Sequence, residues 1–367
     1  MKPHMKIKRL FLPVSLAVIS LFTVSCAKNA PVGTNDANKR YFDAWLHVND
    51  INVTPTGRGI YVLEDVPGTG REIIKDGYVY LDYRTSDLEG NITSYTDAAT
   101  AKLLGEYDPA AYYGPNFIGT YEDNIYAGVA DLLLGMKVGG KKKAIIPSWL
   151  FSYEDYESES DYLKEASSSS SAIYEVSVKS FIPDINEWQI DSIGKFFNND
   201  KVLINGVPAN KIFTNEYGWA MTPADSVQTG FYYKQLKAPT DTAAFASDTT
   251  IYINYTGRLL NGQVFDTTIE DIAKDYNIYS PSRTYEPVQI NWSSEAEDED
   301  YTGITMGSDE SEIIGGFALT LWQMRAMEKG IGVFYSALGY DYSGSGKNIP
   351  PFSPLMFEIE IVEAPEE

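Results

Sequence analysis

Cysteine is almost missing from this chain. Cys26 is the only one in 367 residues, so no disulfide can form within it. Histidine is nearly as scarce, at His4 and His47 alone. Triads that need a histidine base, and zinc sites assembled from Cys and His clusters, are thereby excluded. Positive charge is also short. Twenty-nine Lys and Arg stand against 51 Asp and Glu, a formal net charge of −22. That balance opposes a phosphate backbone and argues against nucleic acid as a partner. Only one long apolar run occurs, Leu10 to Val24, and no other stretch approaches membrane-spanning length. Tyrosine, by contrast, is plentiful at 27 residues, which suits strands and half-buried surfaces. The length allows two domains with cores of their own.

The apolar run follows a basic start, Lys6-Ile-Lys-Arg9, and ends at Ser25-Cys26. A basic segment, an apolar segment and a small residue at the cleavage point make a secretory signal over residues 1–25. The lone cysteine directly after it resembles a bacterial lipoprotein signal, although Thr23 departs from the usual leucine. Lipidation of Cys26 is therefore expected. It implies a lipid bilayer as a partner and a place in a bacterial cell envelope. Residues 26–56 read as a tether, unpatterned from Ala27 to Asn38. A short helix follows, with Tyr41, Trp45 and Val48 on one face.

An internal repeat organises the rest. Val79, Leu81 and Tyr83 match Ile251, Ile253 and Tyr255, while Ala127-Gly128-Val129 matches Gly315-Gly316-Phe317. Both motifs step seven residues to a methionine, Met136 and Met324. Ile173-Tyr174-Glu-Val176 matches Met356-Phe357-Glu-Ile359. The first copy spans 57–183 and the second 229–364. Between them, at 184–228, Ile185, Trp188, Ile190 and Ile193 are spaced for another amphipathic helix. The second copy is the better patterned. Its last strand alternates, with Leu355, Phe357, Ile359 and Ile361 on one face and Met356, Glu358 and Glu360 on a face expected to be solvated. Leu260-Asn261-Gly262 carries a hairpin signal.

Several ordered pieces of the second copy resemble the FKBP family of peptidyl-prolyl isomerases. They are Tyr255-Thr-Gly, Asn261-Gly262 with Phe265-Asp266, Ile313-Ile314-Gly-Gly-Phe317, Met324, Tyr340, Ile349-Pro350-Pro351 and Leu355-Met-Phe357. The resemblance implies an α+β fold of two FKBP-like domains, each a curved antiparallel sheet wrapped around a short helix. It implies isomerisation of Xaa-Pro bonds in proline-containing polypeptides, with no cofactor and no metal. Tyr255, Phe265, Ile313, Phe317 and Phe357 would wall and floor the pocket for the proline ring. The Ile314 N–H would donate to the carbonyl after the proline, and Tyr340 would meet the carbonyl flanking the twisting bond. Ile349 would border the mouth, and Asp266 would orient Tyr255. An exported, membrane-anchored folding isomerase follows, with activity in the second copy. The alternative is a non-catalytic scaffold that holds a protein partner.

Departures from the family pattern matter here. Phe317 replaces the usual floor tryptophan. Thr267 to Met306 is a long insertion that could overhang the pocket, and Tyr285, Ile290 and Trp292 compete for the remaining aromatic position. The first copy is eroded. Val129 stands at the floor and Ser152 falls on the position of Tyr340, with Tyr153 beside it. Thr96 or Asp97 takes the place of Asp266 across a turn read as two residues longer. An acidic, Ser-rich loop, Glu157 to Ser171, replaces Ile-Pro-Pro. This copy is expected to be an inactive spacer or interaction domain. Two motifs are set aside. Gly135 to Lys142 runs helix-to-strand, the reverse of a phosphate loop. Asp298 to Asp309 has calcium-loop spacing but no flanking helices.

Overall fold

The computed structural model describes residues 34–214, 226–292 and 301–365. Cys26, the signal segment and Asp298 to Asp300 lie outside the described residues. In the N-terminal half the elements are α1 (Thr34–Val48), β1 (Tyr61–Val66), β2 (Tyr78–Ser86), β3 (Ile92–Tyr95), α2 (Ala98–Leu104), β4 (Asn116–Gly119), α3 (Ala127–Leu133), β5 (Lys141–Ile146), α4 (Glu159–Glu165) and β6 (Ala172–Ile182). A connecting region holds α5 (Ile185–Phe197), β7 (Leu203–Ile204), β8 (Val207–Pro208) and α6 (Ala209–Phe213). Then come β9 (Ser226–Gln228), β10 (Phe231–Lys237), β11 (Thr249–Leu259), β12 (Val264–Thr267), α7 (Glu270–Asp275), β13 (Val288–Trp292), β14 (Ile304–Met306), β15 (Ser311–Glu312), α8 (Gly315–Gln323), β16 (Lys329–Phe334) and β17 (Leu355–Val362).

All the sheet pairings are antiparallel, and the fold is α+β. The first sheet runs β1-β5-β6-β2-β3, with β4 also on β2. The second repeats that order as β10-β16-β17-β11, with β12 and β13 both on β11, and then adds β14 and β15 beyond β13 and β9 beyond β10. The register repeats too. Thr85 faces Tyr174 in the first sheet as Gly257 faces Phe357 in the second. Strand alternation turns Val79 and Leu81 inward in one copy and Ile251 and Ile253 in the other, all buried. Each fully buried aliphatic contributes about 1.5–3 kcal/mol.

One helix crosses the concave face of each sheet, and a glycine permits its close approach. A Cβ on Gly128 would meet Ile146 at 2.4 Å, and one on Gly316 would meet the Phe334 ring at 2.3 Å. Any larger residue would push α3 or α8 off its strand. The two cores are separate. One gathers Phe42, Leu81, Leu132 and Trp149, and the other gathers Ile253, Phe317, Leu321 and Phe357.

The connecting region does more than connect. Ile193, Phe196 and Phe197 of α5, with Phe213 of α6, pack on Tyr232, Ile331, Val333 and Met356, which form the outer face of the second sheet. This corrects the solvated reading of that face. Glu358 is 8% exposed, accepts from Asn205 Nδ2 at 3.1 Å and lies 2.7 Å from Lys329 Nζ. Only Glu360 keeps to the wet edge, near Lys237 and Lys329.

Two further expectations fail in the N-terminal half. The helix α1 begins at Thr34, inside the expected tether, and buries Phe42 and Leu46 while Tyr41 and Val48 stay exposed. The buried pair is four apart, as is the expected Tyr41–Trp45 pair, so spacing alone did not distinguish the two faces. The Ser-rich stretch is not a plain loop. Ser158 caps α4 by accepting from the Asp161 N–H, and Tyr162, 2% exposed, anchors the helix.

The units touch along one seam. Phe352, just after Pro350-Pro351, packs against Tyr78 (centroids 4.9 Å apart) and Phe117 (5.9 Å) of the first unit. The Tyr112 N–H donates to the Lys347 carbonyl at 2.8 Å, and Lys347 Nζ lies 2.5 Å from Asp108.

Candidate active site

All nine residues singled out in the second copy line one cavity of about 630 Å³. Strand β11 supplies Tyr255 and β12 supplies Phe265 and Asp266, while the lead into α8 supplies Ile313 and Ile314. Phe317 comes from the first turn of α8, Tyr340 and Ile349 from the loop after β16, and Phe357 from β17. The aromatic rings meet edge to face. Tyr255 and Phe317 lie 5.4 Å apart at 84°, Phe317 and Phe357 4.9 Å apart at 90°, and Phe265 and Phe357 5.5 Å apart at 78°. These are favourable ring geometries, and they leave a rigid apolar wall.

Gly257 makes that wall possible. A Cβ there would meet Phe265 at 2.5 Å and Phe357 at 2.9 Å. The hairpin that returns β12 turns on Gly262, with φ +90°. The mouth is a closed loop in which Ser345 N–H donates to the Ile349 carbonyl at 2.8 Å and Ile349 N–H to the Ser345 carbonyl at 3.1 Å. Gly344, with φ +61°, lets the chain pass, since a Cβ there would meet the Ile349 carbonyl oxygen at 2.4 Å.

Polar side chains line the cavity beside the rings, namely Asp266, Glu312, Tyr340, Ser345, Lys347 and Asn348. The Tyr255 hydroxyl donates to Asp266 Oδ2 at 2.6 Å, and Arg283 is paired with the other oxygen of Asp266. Burial, with the Asp266 carboxylate second, pushes the Tyr255 hydroxyl well above the usual phenol range. Tyr340 is raised for the same two reasons in the same order. Its hydroxyl has no hydrogen-bond partner among the described residues, so both tyrosines enter neutral chemistry as protonated donors. The arrangement can therefore grip an apolar ring and offer a hydroxyl.

Sequence reasoning did not find Arg283, Met306, Glu312 or the Gly346–Asn348 part of the rim. Arg283 lies in the insertion, where no periodicity or spacing points to it. The insertion itself does not fill the cavity among the described residues. Its β13 and β14 extend the sheet, and Met306 joins the wall. Ile290 and Trp292 are core residues, with Trp292 stacked on Trp322 at 5.8 Å. Tyr285 stacks on Tyr279 instead, at 5.4 Å. None of the three lines the cavity.

The first unit has a smaller cavity of about 380 Å³ at the equivalent place, lined by Tyr83, Tyr126, Val129, Tyr153 and Tyr174 among others. Its hairpin is not longer. Tyr83 N–H donates to Thr96 Oγ1 at 3.1 Å as Tyr255 N–H does to Thr268 Oγ1 at 3.0 Å, and Gly90 turns at φ +89° as Gly262 does at +90°. Thr96 thus corresponds to Thr268. Ser94, opposite Thr85 as Asp266 is opposite Gly257, holds the aspartate position. Asp97 caps α2 instead, accepting from the Thr100 N–H. Where the second unit has Gly257 and Phe265, the first has Thr85 and Thr93, hydroxyls 2.8 Å apart. Tyr153 lines the cavity, and Ser152 does not.

No family model matches the chain. Two curated relatives do. One is a probable FKBP-type peptidyl-prolyl cis-trans isomerase of Haemophilus influenzae, 26% identical over 138 residues, which are 38% of this chain and 44% of that protein. The other is a macrophage infectivity potentiator of Trypanosoma cruzi, 25% identical over 143 residues, 39% of this chain and 57% of that one. The matches therefore span about half the length of these relatives. Among solved structures, FkpA from Escherichia coli aligns over 48% of this chain and 58% of its own at 21% identity and a TM-score of 0.28. The three FKBP domains of wheat FKBP73 align over 83% and 92% at 13% identity and a TM-score of 0.27. In sequence, the chain is a relative of the FKBP-type peptidyl-prolyl cis-trans isomerases.

Proposed function

We propose that the second unit catalyses cis-trans isomerisation of Xaa-Pro bonds in polypeptides. The observation that carries this reading is the convergence of nine residues from five segments on one aromatic cavity of about 630 Å³. Rotation about the imide bond faces a barrier of about 18–20 kcal/mol, because twisting breaks amide resonance. No covalent chemistry is required. A water-poor aromatic wall disfavours the charge-separated planar amide and fits the twisted one, which is differential binding of a transition state.

In this reading the proline ring enters against Phe265, Phe317 and Phe357. The Tyr340 hydroxyl donates to the carbonyl flanking the twisting bond, and the Ile314 N–H takes the carbonyl after the proline. Asp266, held from both sides by Tyr255 and Arg283, keeps the polar edge fixed. Export and anchoring through Cys26 belong to the same proposal and rest on residues 6–26 of the sequence. They would place the enzyme in the bacterial cell envelope, assisting the folding of proteins outside the cytoplasm.

The test is exchange NMR or a protease-coupled assay on a Phe-Pro peptide, comparing the wild type with Tyr340→Phe/Phe265→Ala. Losing one donor and one wall should lower the catalysed rate by about 10²-fold, each contribution being near tenfold per 1.4 kcal/mol. A folded wild type that gives no rate above background would sink the isomerase reading and leave a binding scaffold in its place.

A further inference from the structure

The first-unit cavity does not close with its own residues. Tyr83, Tyr174 and Val129 form its floor and back, and Tyr126 stacks on Tyr153 at 4.3 Å along one side. One more lining residue is Pro351, which belongs to the second unit. Two residues earlier, Ile349 lines the larger cavity. One short segment therefore walls both sites. It is held between them by Phe352 on Tyr78 and Phe117, and by the Tyr112–Lys347 hydrogen bond of 2.8 Å.

Two features describe what this cavity takes. It already lies against a proline of this chain, so a proline or similar ring suits its surface. Tyr83, Tyr126, Tyr153 and Tyr174 stand among aliphatic and small polar residues in its wall, which gives apolar faces with hydroxyls at their edges and suits side chains on a polar backbone. The pocket lacks what the larger site offers for rotation, since Val129 replaces the floor ring and Ser94 the aspartate.

We propose that the first-unit cavity is a second, non-catalytic polypeptide-binding site. It takes an aromatic or proline residue of an extended segment and, through the shared Ile349-Pro350-Pro351 wall, continues the larger cavity into one two-part binding surface. The proposal goes beyond isomerisation and does not depend on it.

The probe is an unstructured peptide of about twelve residues with two Phe-Pro pairs, added to the full chain while backbone amide shifts are followed by NMR. Shifts at Val129 and Tyr153 as well as at Phe317 and Tyr340 are expected. Tyr153→Ala, at an exposed rim, and Val129→Trp, which fills the cavity, should each weaken the long peptide about fivefold or more. Both should leave turnover of a Phe-Pro tetrapeptide unchanged. In Tyr340→Phe/Phe265→Ala the first-unit shifts should persist, so a failed isomerase reading and a failed second site give different results. Shifts confined to the second unit, or an unchanged affinity in Tyr153→Ala, would overturn the proposal.

Discussion

The two units share a sheet order, a register and a hairpin, yet they treat the same two surfaces in opposite ways. On the concave side, the second unit spends Gly257 to admit Phe265, while the first closes the position with the Thr85–Thr93 hydroxyl pair. On the convex side, the first sheet is charged and wet, with Glu175 bridging Arg84 at 2.5 Å and Lys143 at 3.0 Å. The second is apolar there and lies under α5 and α6. A fold held constant by its strand pairing can thus exchange an aromatic wall for a polar one, or a solvated face for a second core. Residues swap in facing sets, because each set must fill its space and satisfy its polar atoms together.

The contrast on the convex side gives the largest expected effect. Phe213→Ala, at a side chain 1% exposed, should lower unfolding stability by about 3–5 kcal/mol in urea titrations. On the first sheet Glu175→Gln, at a half-exposed ion pair, should lower it by only about 0.2–1 kcal/mol. Equal losses would mean that α5 and α6 do not cover the second sheet as described.

On the concave side, Gly257→Ala should destabilise by about 1–3 kcal/mol through overpacking and cut the catalysed rate at least tenfold, as read by exchange NMR and denaturation. Copying the first unit, as Gly257→Thr/Phe265→Thr, should recover most of the stability and none of the activity. Recovery of activity would break the link between Phe265 and catalysis.

The smallest effect concerns the seam. The hydrogen bond from Lys347 chiefly holds the Asp108 carboxyl below its usual range. A depressed folded-state value makes the pair's contribution present above the unfolded carboxylate value of about 3.9 and lost as the pH falls below it. The urea midpoint of Asp108→Asn should therefore sit slightly below wild type at neutral pH and converge with it in acid. A gap that persists at low pH would assign the effect to something other than this pair.

Much of this comparison is legible in the sequence, and for definite reasons. Strand alternation set Tyr255 and Phe357 on the inner faces of their strands, because side chains on a pleated strand have a period of two, but it was the resemblance in motif order that joined them with Phe317 of α8 in one cavity. The hairpin was misaligned because Ser94 and Asp266 share no chemistry, and only their facing partners, Thr85 and Gly257, reveal the match. Helix α4 was missed because its serines and acids read as solvated, while a single cap and Tyr162 suffice to fix it against α1. The cover on the second sheet was invisible for another reason. Met356 and Glu358 alternate with core residues in any case, and nothing local says which distant segment will lie across them.

If both cavities take polypeptide, the shared rim has a consequence for how long a client stays bound. Ile349 and Pro351 are two residues apart, so their backbones lie within about 7 Å of one another. A chain that lets go of one cavity while held in the other cannot diffuse away. Its re-entry is intramolecular, at an effective concentration on the order of millimolar. A client with several aromatic and proline residues would then present successive bonds to the larger cavity within one encounter, and residence time would grow with the number of such residues.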